Sequence, residues 1–124
     1  MNVPADTPGA ATPGEASGLL VVLTNAPDAQ VARAIAEALV GERLAACVNI
    51  LAPCRSVYRW DGAIEHAEEV PLLIKTARAR YGALERRLKE LHPYEVPEIL
   101  AWTPQAGWPA YLDWVLSETG PVGG

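Results

Sequence analysis

Apolar positions along this chain come in short blocks, and their spacing changes from continuous to helical and back. Leu19-Leu20-Val21-Val22-Leu23 is a continuous apolar run that ends at Thr24-Asn25, the pattern of a central strand covered on at least one face. Pro27 suits a first helical position, and Val31, Ile35 and Leu39 then recur at helical spacing beside Ala34 and Ala38. Gly41 is the expected left-handed stop of that helix. Leu44 to Leu51 is apolar and partly β-branched, which predicts a second strand closed by Pro53. From Arg55 onward, Val57, Tyr58 and Trp60 precede an Asp61-Gly62 turn, so this segment is expected as one arm of a hairpin, with Glu69 to Lys75 as the other.

Thr76 is the expected cap of a second helix, in which Tyr81, Leu84, Leu88 and Leu91 share one stripe. The helix must stop near Leu91, because Pro93 lacks an amide donor and pushes His92 out of helical geometry. Ile99 to Trp102 predicts a short strand that Pro97 can open, and Trp108-Pro109 starts a last helix carrying Tyr111, Leu112 and Val115 on one side. The order is βαββαβ followed by a helix. It predicts an α+β fold, a ferredoxin-like sandwich with helices on one face of a largely antiparallel sheet and a C-terminal helix added.

Length and composition change this picture only at its edges. The 124 residues, half of them hydrophobic, suit one domain over 19–118. Residues 1–18 carry Pro4, Pro8 and Pro13 with several Gly and no long apolar side chain after Val3, so they are expected as a flexible tail, and 119–124 as a disordered C-terminus. That tail has no Lys or Arg and no apolar run, so no signal peptide, membrane span or transit peptide is expected, and the cytoplasm is the default compartment. A net charge of −5 opposes binding to nucleic acid. Cys47 and Cys54 form no Cys-x-x-Cys pair and are expected as free thiols, the first buried and inert, the second exposed.

Candidate chemistry gathers at the junction His92-Pro93-Tyr94-Glu95-Val96-Pro97-Glu98, where two prolines stiffen a connector rich in polar groups. Lys75 follows three apolar residues and is expected to be partly enclosed, with Glu69, Glu95 or Glu98 as partner. Two readings stay open. Either Lys75, Tyr58, Trp60, Glu69, Tyr94, Glu95 and Glu98 line a cleft for a small anionic or zwitterionic ligand, or Lys75 and one of those carboxylates form an ion pair locking a subunit contact. Glu65, His66 and Glu68 on the hairpin could hold a divalent ion loosely, or could be a solvated tip. No phosphate-binding loop, zinc-binding helix or nucleophile elbow occurs, and the chain has only two histidines, so enzymatic activity is not expected.

Three blocks, LAACVN from Leu44 to Asn49, Ser56-x-Tyr58-x-Trp60-x-Gly62-x-Ile64 leading to Ile74-Lys75-Thr76, and HPYEVPEI from His92 to Ile99, together resemble the CutA family of divalent-cation tolerance proteins. The resemblance covers about residues 19 to 117. It implies a ferredoxin-like subunit in a homotrimer whose long strands pair across subunit boundaries, and a link to copper and other divalent cations. The copper ligands it implies fall on Thr24, Leu91 and His92, leaving one imidazole, so weak binding of Cu²⁺ or another divalent cation is expected, with His92 as the surviving ligand. A non-enzymatic role in metal tolerance is the leading expectation. The alternative is a PII-like signalling module binding a small ligand at subunit clefts. An acylphosphatase-like hydrolase is disfavoured because no Arg and Asn arrangement could hold a phosphoryl group.

Overall fold

The computed structural model describes residues 18–120; residues 1–17 of the expected tail and 121–124 of the expected disordered C-terminus lie outside the described residues. In chain order the elements are β1 (Leu19–Ala26), α1 (Ala29–Gly41), β2 (Cys47–Ile50), β3 (Cys54–Trp60), β4 (Ala63–Ala77), α2 (Tyr81–Leu91), β5 (Leu100–Trp102) and α3 (Pro109–Glu118). A single 3-10 turn over Arg78–Arg80 leads into α2. The sheet runs β2-β4-β1-β5, with β3 also paired to β4, and every pairing is antiparallel. This is an α+β fold.

The continuous apolar run of β1 is explained by cover on both faces. Leu20, Val22, Thr24 and Ala26 are buried, with Val22 opposite Ile74 and Thr24 opposite Leu72. Over this face lie Ala32, Ile35, Ala36 and Leu39 of α1 and Leu84 and Leu88 of α2, forming the main core. Leu19 and Val21 point the other way, as strand alternation requires, and meet Leu112 and Val115 of α3. Helices therefore occupy both faces: α1 and α2 cover one, and α3 caps part of the other. Burial of each large core side chain is worth about 1.5–3 kcal/mol.

Local chemistry moves several boundaries. Pro27 precedes the helix instead of opening it, because Asp28 is the cap and its Oδ1 accepts the Val31 amide at 2.8 Å. Gly41 is the last residue of α1, and the left-handed position falls two residues later on Arg43, at φ 59°. Arg43 is held there by its own side chain: Nε donates to the Gly120 carbonyl at 2.6 Å and Nη2 to that of Ser117 at 2.9 Å. This clamp fixes the end of α3 against the turn after α1. Thr119 beside it is buried and donates to the Val115 carbonyl, so order continues past residue 118.

The second strand is shorter than its apolar pattern, since the Leu44 and Ala45 amides close onto the Leu39 carbonyl and leave only Cys47–Ile50 in the ladder. Thr76 caps no helix; it ends up in β4, buried, with Oγ1 donating to the Leu44 carbonyl at 2.7 Å. The hairpin arm is longer than Glu69 to Lys75 because β4 runs for 15 residues. Asp61 at φ 50° and Gly62 at φ 80° form the tight turn between β3 and β4, where glycine meets a demand few side chains tolerate.

Candidate functional site: an aromatic and acidic cleft

The site is built where α2 stops. Pro93 forbids another turn, so His92 adopts an extended conformation and the chain swings under the end of β1. His92 is 6% exposed, and its Nε2 lies 2.6 Å from the Asn25 carbonyl while Nδ1 accepts the Tyr94 amide at 3.2 Å. The bonding pattern therefore makes Nε2–H the donor. The His92 and Tyr94 rings pack with centroids 4.7 Å apart. Asn25 holds the connector a second time, donating its side-chain amide to Glu98 Oε1 at 2.9 Å.

This connector faces the hairpin across a cleft of about 590 Å³ lined by Tyr58, Trp60, Glu69, Pro93, Tyr94, Glu95, Val96, Pro97 and Glu98. Tyr58 and Trp60 share one side of β3 by strand alternation, while Arg55 and Arg59 fall on the other. Glu69, opposite Cys54 in the hairpin register, is 8% exposed and accepts the Tyr94 hydroxyl at 3.1 Å. Burial, then the hydrogen bond and negative charge of Glu69, push the Tyr94 pKa up to about 12, so the phenol keeps its proton and remains the donor. The cleft thus gathers three aromatic rings and three carboxylates, with no basic side chain among the described residues that line it.

Six of the seven residues expected in a cleft are brought together here, and Lys75 is not. Its ammonium donates to Asn49 Oδ1 across the β2–β4 pairing, in place of the expected partners Glu69, Glu95 or Glu98. Six residues of extended chain separate it from Glu69, about 20 Å along β4.

The metal candidates fare differently from one another. Both ring nitrogens of His92 are engaged in hydrogen bonds, Nε2 with the Asn25 carbonyl and Nδ1 with the Tyr94 amide. Thr24 is buried on the helix-covered face and Leu91 packs against the same core, so neither completes a site with it. Glu65, His66 and Glu68 are exposed on β4, and alternation puts Glu65 on the face opposite His66 and Glu68. Only a shallow hollow of about 130 Å³ lies by His66 and Glu68, beside Arg55. Among the described residues no group of three or more His, Cys, Asp or Glu side chains is placed to hold a metal ion.

Cys54 is exposed with Sγ 3.8 Å from Ser56 Oγ, whereas Cys47, expected to be buried, is only half-buried beside Tyr111. Asn25 was not foreseen as part of the site. Its signal was a polar amide ending an otherwise apolar strand. No helix among the described residues is long and apolar enough to cross a membrane.

Residues 20–118 match the family described as CutA1 divalent ion tolerance protein. The chain is 50% identical over 100 residues to the divalent-cation tolerance protein CutA of Thermus thermophilus, covering 81% of this chain and 97% of that relative. It is 40% identical over 118 residues to human protein CutA, covering 95% of this chain and 64% of the human one. The crystal structure of CutA from Xylella fastidiosa superposes with a TM-score of 0.82 at 42% identity, over 84% of this chain and all (100%) of that one. An antiparallel sheet with this helix arrangement, three sequence blocks in order and a family match across nearly all described residues lead to one conclusion: the chain belongs to the CutA1 family of divalent ion tolerance proteins.

Proposed function

We propose that the chain acts without enzymatic activity in divalent-ion tolerance, as a homotrimer of ferredoxin-like subunits that binds copper or other divalent cations weakly. The observation that carries this reading is the donor set. Both His92 nitrogens are engaged, and among the described residues no group of three or more His, Cys, Asp or Glu side chains is placed to hold an ion, which supports weak contact with a cation and not a tight copper cage. Edges and apolar surface support the trimer. Leu100 and Trp102 on β5 and Val57 and Ile64 on the hairpin are exposed, and the outer rims of β3 and β5 lack strand partners among the described residues. Strand pairing between copies would cover both. The free thiols of Cys47 and Cys54 favour a reducing, cytoplasmic setting.

Equilibrium dialysis against copper and zinc, with light scattering on the same samples, tests the proposal. Expected are a particle of three times the 13.3 kDa subunit and weak metal binding indifferent to His92→Ala. A stable monomer, or a tight copper site lost with His92, would overturn it. The cleft's own volume and aromatic lining favour a second reading, recognition of a small ligand, since about 300–1,000 Å³ is the usual size of such sites. Thermal-shift screening separates the two: metals raise the melting temperature in one case, small organic ligands in the other.

A further inference from the structure

We propose that the cleft binds an organic ammonium ion, its charge set against Glu69 and its alkyl groups against the rings of Tyr58, Trp60 and Tyr94. This rests on the reading of the cleft as a small-ligand site. Glu69 is 8% exposed, and its one partner among the described residues is the neutral Tyr94 hydroxyl. The ion pairs among the described residues, Arg43–Glu118, Arg87–Glu42 and Arg87–Glu90, all lie elsewhere. The second oxygen of Glu69 is not a buried orphan but opens to the cleft, where an entering cation can meet it.

The rest of the wall selects the kind of cation. An anion or zwitterion would place its carboxylate among Glu69, Glu95 and Glu98, with no basic side chain among the described lining residues to receive it. A divalent metal must replace a tightly held water shell with several oxygens, yet Glu69 Oε2 and Glu98 Oε1 are already bonded to Tyr94 and Asn25. Aromatic rings and prolines offer a metal nothing. An alkylammonium holds water weakly, and the electron-rich faces of Trp and Tyr attract it. The wall is therefore matched to a bulky cation that carries its charge inside a hydrocarbon shell.

Choline chloride is the probe, with its uncharged carbon isostere dimethylbutanol and sodium acetate as comparisons, read by titration calorimetry and by tryptophan fluorescence against a Trp60→Leu control. Wild type binds choline, while dimethylbutanol binds about tenfold more weakly. Glu69→Gln, which keeps an acceptor for Tyr94, and Trp60→Leu each weaken choline about tenfold, with circular dichroism unchanged. Equal binding of dimethylbutanol, or choline binding indifferent to Glu69→Gln, overturns the ammonium assignment. Choline binding that emerges only in Lys75→Ala also overturns it, because a lysine from a second copy then fills the cleft. If acetate or dimethylbutanol perturbs Trp60 while choline does not, the ammonium assignment falls and the small-ligand reading stands. If none of the three does so, both fall.

Discussion

Strand β4 lives in two environments. From Val70 to Ala77 it sits between β1 and β2, and Leu72 and Ile74 are fully buried under α1 and α2. From Ala63 to Glu69 its one strand neighbour among the described residues is β3, and Ile64 is 60% exposed. A hairpin meant only for solvent would be polar here. This one instead presents Val57 and Ile64 on one side and Tyr58 and Trp60 on the other, with the second side walling the cleft. One half of the strand holds the fold together, while the other half is surface for contact.

The sharpest way to break this comparison is to truncate both halves. Leu72→Ala should cost about 2–5 kcal/mol in denaturant unfolding, because the site is closed on every side and cannot collapse. Ile64→Ser should cost less than about 0.5 kcal/mol within one subunit, since its side chain is already in water. If copies pair through the hairpin, Ile64→Ser instead lowers the concentration-dependent stability of the assembly. Equal losses at both positions, independent of protein concentration, would mean that the division of β4 is wrong.

The clamp at Arg43 provides the next test within the helix-bearing half. Arg43→Ala removes two charge-assisted hydrogen bonds to the end of α3 and should cost about 1.5–3 kcal/mol. Arg43→Gly loses the same bonds yet relieves the left-handed backbone, so it should be less damaging than alanine. Alanine and glycine variants of equal stability would remove backbone strain from the account.

At the cleft end, His92→Phe keeps a ring against Tyr94 but leaves the Asn25 carbonyl and the Tyr94 amide without their partner. The expected loss is about 1–2 kcal/mol with copper affinity unchanged in dialysis. A copper affinity that drops with this change would restore His92 as a ligand and contradict its role as a strut.

What was legible in the chain follows the same division. Continuous apolar runs and helical stripes placed β1, α1, α2 and α3, because core burial writes a periodic signal. The proline pair marked the cleft connector, and Tyr58, Trp60, Glu69, Tyr94, Glu95 and Glu98 come to one cavity. The Lys75 pairing was not legible. A lysine after an apolar run implies enclosure, but its partner is decided by cross-strand register, which puts Cys47 opposite it and Asn49 diagonally within reach. Arg43 in the left-handed region escaped for a similar reason, since the carbonyls that hold it lie more than seventy residues away in sequence. Glu65 and His66 look clustered when read along the chain and are divided by the pleat.

The smallest effect is the most direct reading of the bond joining the two cleft walls. Tyr94 is raised from an ordinary 10.0 to about 12, by burial first and by Glu69 second. Between those values the folded chain holds a proton that the unfolded chain has released. Stability from this group is therefore complete below about pH 10 and declines as pH rises toward 12. Glu69→Gln removes the charge and leaves the burial, so the late tyrosinate transition should move part of the way back and remain above ordinary tyrosine. Tyr94→Phe should abolish that transition while the raised Tyr81 and Tyr111 steps persist. An unchanged titration in Glu69→Gln would mean that hairpin and connector do not touch through this hydrogen bond, and the cleft would lose the contact that joins its two walls.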